Sequence, residues 1–265
     1  MSILHAIILG IVQGLTEFLP VSSSGHLALF QSILGVKGDT LFFGLMVHLG
    51  TLVAVCSVFF KDIVALFKKP YKTLLQLVVA TIPACAVGVL FEDYIDEIFA
   101  SEEILIYTFL ASSILLFVAQ RVRRKKQSRY ITYPTATFMG LSQALAILPG
   151  LSRSGTTMAI GILSGKRREE VAKFSFLMSI PVILGGAILK AISVGISISE
   201  GVPLASLGID IIPTLVASIF AGLSGYVSIK WMLDIVKRCN FTGFSIYLFV
   251  LSLVVFVNSY VVCMW

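Results

Sequence analysis

The run from Gly10 to His26, GIVQGLTEFLPVSSSGH, returns from Gly140 to Thr156 as GLSQALAILPGLSRSGT, and in each copy Pro, Ser and Gly interrupt an apolar stretch. Aligned without a gap, the copies share Gly10/Gly140, Gln13/Gln143, Leu15/Leu145, Ser22/Ser152, Ser24/Ser154 and Gly25/Gly155. An internal duplication with a polar break in each copy leaves few folds open. In hydrocarbon an unpaired backbone group costs several kcal/mol, so irregular backbone survives only inside protein or along a wet cavity. The first copy also carries Glu17 and His26, and the second Arg153. Ionisable groups at membrane depth mark a functional site.

The membrane reading itself comes from composition. Of 265 residues, 57% are hydrophobic and 13% charged, and the mean hydropathy is +0.98, against about 25% charged residues in soluble domains. Near-uncharged runs recur at the ~20-residue length with which a helix crosses ~30 Å of hydrocarbon. The chain is therefore expected to be an all-α polytopic membrane protein forming a single membrane domain over residues 1–265. The net charge of +6 points to topology rather than nucleic acid, because the basic residues cluster in short loops, as in cytoplasmic loops. Cys56, Cys85, Cys239 and Cys263 stand singly in apolar segments, so neither a disulfide framework nor zinc is expected. Without a basic n-region or a small-residue cleavage site, the first segment reads as retained.

Six stretches are predicted to span: 41–60, 72–91, 103–121, 169–190, 210–231 and 242–264. Lys61, Lys68, Lys69 and Lys72 follow the first, Glu92, Asp93, Asp96, Glu97, Glu102 and Glu103 the second, and Arg121, Arg123, Arg124, Lys125, Lys126 and Arg129 the third. This alternation assigns the basic loops to the cytoplasm. With Lys166, Arg167 and Arg168 before the fourth span, segment 133–165 starts and ends on that side, so it reads as a re-entrant helix–turn–helix. Segment 3–36, turning at LPVSSSGH, is its counterpart from the outer face. Each half then holds a re-entrant pair and three crossings: repeat A over about 1–122, repeat B over about 133–265, and a basic cytoplasmic loop at 122–132. Three crossings invert the second copy, so the two broken segments meet near the midplane. Segment 193–209 reads as an outer loop with turn signals at Gly201 and Pro203.

Gln13 and Glu17 are four apart on a helix and share a face. LPVSSSGH adds hydroxyls and, through Gly25, backbone able to present N–H groups to an anion. His26 can act as acid, base or nucleophile, and Ser22 and Ser23 as nucleophiles or phosphate donors. Arg153 stands among Ser152, Ser154, Gly155, Thr156 and Thr157 just before an apolar run, which fits a phosphate cradle at a helix N-terminus, with a guanidinium fork for two phosphate oxygens. A carboxylate and a polyanion in one chamber suit a shared divalent cation, Mg²⁺ or Ca²⁺, held by Glu17 with Gln13 behind it. Each residue also has a plainer alternative reading. On that reading Glu17 and Arg153 would neutralise each other where the halves meet, Gln13 and Gln143 would be interhelical glue, and a serine of the first turn would cap the returning helix. His48 is either a satisfied interior histidine or a partner of the site. Spacing alone leaves Ser23, His26 and water open as the attacking group.

At these residues the sequence resembles the undecaprenyl pyrophosphate phosphatases of the bacitracin-resistance type. Gln13 to Glu17 matches their (Glu/Gln)-x-x-x-Glu, Pro20 to His26 their PVSS(S/T)GH, and Pro149 to Thr157 their PGxSRSGxT. The resemblance covers essentially the whole chain. It implies removal of the terminal phosphate of undecaprenyl pyrophosphate, recycling the lipid carrier for cell-wall synthesis, at a site opening outward from the bacterial inner membrane. It also implies a site of Glu17, Ser23, His26, Arg153 and Thr157 and a divalent cation. Gln13 takes the Gln option and is thereby a neutral contact, not an anionic ligand. The other lipid-phosphatase signature, SR-x5-H, fails because Ala159 stands six residues beyond Arg153. Expected partners are the lipid substrate and the bilayer; a homodimer is compatible with the sequence. The competing class is a prenyl-phosphate flippase, since inverted repeats with broken helices are a transporter construction.

Overall fold

The computed structural model describes residues 1–36, 40–91, 103–122, 127–199, 210–238 and 241–262. The predicted acidic residues 92–102, the basic residues 123–126, Gly201, Pro203, Cys239 and Cys263 lie outside them. Among the described residues the elements are helical: α1 (Ile3–Phe18), α2 (Ser23–Ile33), α3 (Thr40–Val58), α4 (Phe60–Leu66), α5 (Lys72–Leu90), α6 (Ile104–Arg121), α7 (Tyr133–Leu145), α8 (Arg153–Leu163), α9 (Arg168–Ser199), α10 (Ile211–Arg238) and α11 (Thr242–Val257), the last running into a π turn at Asn258–Val262. A helix closes its own backbone hydrogen bonds, which is why apolar runs adopt it in lipid.

Among the described residues, five helices are long and apolar enough to cross a bilayer, α5, α6 and α9 to α11. The expected straight span 41–60 is bent instead, because the chain turns by 80° between α3 and α4. Phe59 sits at the break, buried against Phe176 with ring centroids 5.9 Å apart, while no residue of α4 is buried. A second departure is α9, which continues helically to Ser199 through the start of the expected loop at 193. VGISIS contains no proline and only one glycine, so nothing in it stops a helix.

The two broken segments fold as helix–turn–helix pairs, α1/α2 and α7/α8. Their returning helices have 11 residues each, about 16 Å at 1.5 Å per residue, too short to span. Packing partners exchange between the copies: α1 lies on α10 and α7 on α5, α3 meets α10 and α9 meets α5, while α6 pairs with α11 and α3 with α9. At the α6/α11 contact the hydroxyl of Ser113 donates to the carbonyl of Ser245 at 2.7 Å, and that of Ser245 donates back to the carbonyl of Ser113 at 2.8 Å. Large apolar side chains such as Val53, Ile219 and Val227 face outward while Ser112, Ser175 and Ser228 are buried. That inversion of the soluble pattern is expected where lipid is the solvent and small polar residues hold helices together.

Candidate active site

The two polar turns interlock. In each, the first serine caps the returning helix: Ser22 Oγ accepts from Gly25 N–H at 3.3 Å and Ser152 Oγ from Gly155 N–H at 3.1 Å. The other serine that both turns share reaches across, Ser154 donating to the carbonyl of Leu19 at 2.8 Å and Ser24 accepting from Gly150 N–H at 3.4 Å. A Cβ on Gly25 would enter the Phe109 ring and press on Gly150, and one on Gly155 would press on Pro20. The glycines thus let one turn sit against the other. Ser22 holds a φ of 68°, a left-handed conformation that costs a non-glycine residue about 1–2 kcal/mol. Its counterpart turn places Gly150 at φ 83° instead.

This interlock converges on Glu17, whose side chain is 4% exposed. Oε1 accepts from Arg153 Nη2 at 2.5 Å, across 136 residues of chain. Oε2 accepts from Ser23 Oγ at 2.5 Å and Gln13 Nε2 at 2.9 Å, and His48 Nε2 stands 3.4 Å away. Ser23 and Arg153 occupy equivalent positions of the two copies, each the first residue of its returning helix, and they bind opposite oxygens of one carboxylate. The position equivalent to Glu17 is Ile147, so a symmetric meeting point carries an asymmetric site. Gln13 Oε1, Arg153 Nη1, Thr156 Oγ1 and both amide atoms of Gln143 are buried without a partner among the described residues. A buried guanidinium nitrogen and amide oxygen left over around a carboxylate are binding capacity, since buried polar atoms are otherwise paired.

The other expected residues are distributed around this centre. His26 does not bond Glu17. Its Nδ1 faces the carbonyl of Ser22 at 2.7 Å and its Nε2 the hydroxyl of Tyr247 at 2.6 Å. A carbonyl only accepts, so Nδ1–H donates, and in the neutral ring Nε2 accepts from Tyr247. The Tyr247 ring stacks on the imidazole with centroids 5.6 Å apart. Thr157 Oγ1 lies 2.7 Å from Ser175 Oγ and donates to the carbonyl of Arg153 at 2.8 Å; it braces the helix start that carries Arg153. Ser152, Ser154 and Gly155 use their groups within the interlocked turns, and the backbone N–H of Ser152 donates to Ser112 Oγ at 3.0 Å. Sequence reasoning left His48 undecided and missed Tyr247, Ser175 and Ser112. His48 had a signal, an ionisable side chain inside an apolar run; hydroxyl residues in other spans had none.

Comparison with known proteins decides the family. A family model described as Bacitracin resistance protein BacA matches residues 6–254. The chain belongs to the bacitracin resistance protein family. Relatives in that company include a protein of Carboxydothermus hydrogenoformans, 43% identical over 259 residues covering 97% of each chain. Others come from Halothermothrix orenii, 36% identical with 97% of this chain and 98% of the relative covered, and Methanobrevibacter smithii, 39% identical with 98% of each covered. All three are named undecaprenyl-diphosphatase. The family match takes in both polar turns, so Glu17, Ser23, His26 and Arg153 all lie within the shared region.

Proposed function

We propose that this chain is an undecaprenyl-diphosphatase, hydrolysing undecaprenyl pyrophosphate to the lipid monophosphate and phosphate and so recycling the carrier for cell-wall synthesis. The observation that carries it is the Glu17 carboxylate shared between the Ser23 hydroxyl and the Arg153 guanidinium. A hydroxyl hydrogen-bonded to a carboxylate is a nucleophile beside its base, and a guanidinium with a free nitrogen is a fork for phosphate oxygens. Ser23 Oγ attacks the terminal phosphorus as its proton passes to Glu17. The bond from that phosphorus to the bridging oxygen breaks, and the lipid monophosphate leaves with that oxygen. Glu17 passes that proton to the departing lipid monophosphate and so returns to the carboxylate; it then takes a proton from the water that attacks phosphorus, and hands it to Ser23 Oγ as the bond to phosphate breaks. Arg153 stabilises the charge gathering on the phosphoryl oxygens, the main burden in this chemistry.

The donor set fits a divalent cation only in part. Glu17, the orphaned Gln13 Oε1 and Ser23 Oγ are oxygen ligands of the hard type, yet no trio of His, Cys, Asp and Glu gathers among the described residues. Those three oxygens would hold Mg²⁺ or Ca²⁺ with substrate phosphates supplying the remaining charge. Such an ion would neutralise the pyrophosphate. Ser128 pairs with Lys166, which brings Arg129 beside the basic residues Lys166 to Arg168 before α9. This supports their face as cytoplasmic, with the site opening to the outer face. The exchanged packing supports reading residues 1–122 and 133–265 as inverted repeats around the basic loop 122–132. It is also the observation that favours the second reading, a prenyl-phosphate flippase.

Rapid acid quench of the purified chain turning over substrate labelled in the terminal phosphate tests the reading. Label on Ser23 is expected, with turnover lowered by chelator. Label on His26, or release without any labelled protein, would remove Ser23 as the attacking group. Transfer of labelled lipid across liposomes without phosphate release would move the assignment to the flippase. Tyr247→Phe keeps the stacked ring but removes the hydroxyl, about 1 kcal/mol of orientation, so kcat should fall ~fivefold with KM unchanged. Steady-state kinetics check this, and an unchanged kcat would make the contact incidental.

A further inference from the structure

A cavity of about 300 Å³ lies away from Glu17, between α4, the start of α5, the segment 129–131 and α9. Its lining is amphipathic. Leu66, Phe174 and Leu177 are its apolar lining, and Lys72, Arg129, Lys173, Asp62 and Glu170 line it as well. Lys173 is engaged by Asp62 at 2.6 Å. That leaves two cations, Lys72 and Arg129, against one carboxylate, and neither cation has an ion-pair or hydrogen-bond partner among the described residues.

The wall that carries Arg129 is held from both sides. Ser128 donates its N–H to the Gly165 carbonyl at 3.0 Å and accepts from Arg167 N–H at 2.9 Å. Two residues beyond Arg129, the carbonyl of Ile131 accepts from Gln76 Nε2 at 2.8 Å, and Gln76 is 3% exposed. The cavity is therefore a built feature of the fold and not a gap beside a loose loop. Its depth is also marked. Lys72 opens a span, and Tyr71, Tyr130 and Tyr133 beside it are all exposed, the arrangement of an interfacial aromatic belt.

We propose that this cavity binds the phosphate-bearing headgroup of an anionic phospholipid, with Lys72 and Arg129 on the phosphate and the start of an acyl chain over Leu66. Unpaired cations at headgroup level beside the half-buried Leu66, over a floor of buried Phe174 and Leu177, match an anionic amphiphile. Basic pockets between membrane helices recognise acidic headgroups by this chemistry. The site is separate from the phosphatase centre and does not depend on it.

The test uses the full-length chain in micelles containing phosphatidylglycerol or phosphatidylcholine, with inorganic phosphate as a third arm, read by thermal midpoint. Phosphatidylglycerol is expected to raise the midpoint, and the other two to leave it unchanged. Lys72→Gln with Arg129→Gln should remove the increment while phosphatase turnover in phosphatidylcholine persists. Lys61→Gln with Lys68→Gln, an equal loss of charge outside the cavity lining, should keep it. Glu170→Gln should lower the phosphatidylglycerol fraction needed for half the effect by about fivefold, the weight of one charge at such a surface. Equal stabilisation by phosphatidylcholine, an equal loss in the Lys61/Lys68 control, or a full shift with inorganic phosphate alone would each overturn the proposal. So would an unchanged half-effect in the Glu170 variant.

Discussion

Arg153→Lys is expected to lower kcat/KM by about 100-fold or more, the scale of losing one preorganised donor to a transition-state oxygen, while leaving the thermal midpoint near that of the parent. The asymmetry follows from the two terminal nitrogens of the guanidinium. Nη2 is engaged by Glu17 and holds the two halves together; Nη1 is buried and unpartnered. A lysine ammonium can replace the first contact as a point charge, but it has no rigid second arm. Stability and activity should therefore separate in this one substitution. Full activity in the lysine variant would show that a single charge suffices and would remove the fork from the mechanism. A variant that unfolds would show instead that the guanidinium acts mainly as the bolt between the turns.

The second large effect concerns assembly. Gly10→Val and Gly140→Val should each destabilise the protein by about 3 kcal/mol, at the upper end of overpacking costs, because a Cβ at Gly10 would fall on the carbonyl oxygen of Ala217 and one at Gly140 on that of Ala80. These are backbone-to-backbone approaches of α1 on α10 and of α7 on α5, so no side-chain rotation relieves them. Gly88→Val is the control, since nothing lies within 4 Å of its Cβ direction. Thermal unfolding in detergent should rank both repeat variants well below the control. If all three behave alike, the close approach of those helices is not what seats the turns. The Gly10 variant should also lose activity in its folded fraction, because Gln13 and Glu17 ride on the same helix.

Much of this protein was legible in its sequence for a specific reason. A bilayer punishes unpaired backbone and lone charges, so an apolar chain that breaks twice at Pro, Ser and Gly and keeps Glu17, His26 and Arg153 announces its own site. The capping role of a serine, the helix–turn–helix form of both broken segments and the meeting of the two turns all follow from that penalty. The bend at Phe59 and the extension of α9 were not legible, because helix ends inside apolar sequence depend on which neighbour buries the terminal side chain, here Phe176 for Phe59.

What the sequence by itself determined is the membrane class, the duplication and the cast of polar residues, since each follows from local composition and spacing against the hydrocarbon solvent. Only the tertiary structure decided how that cast is paired. It put Ser23 and Arg153 on opposite oxygens of Glu17, brought His48 to the same carboxylate, and gave His26 to Tyr247, a residue 221 positions away. Periodicity and motif spacing describe one segment at a time, whereas a hydrogen bond between segments depends on helix crossings set by small residues such as Gly10 and Gly140. Those contacts are long-range, and their geometry exists only once the halves have packed.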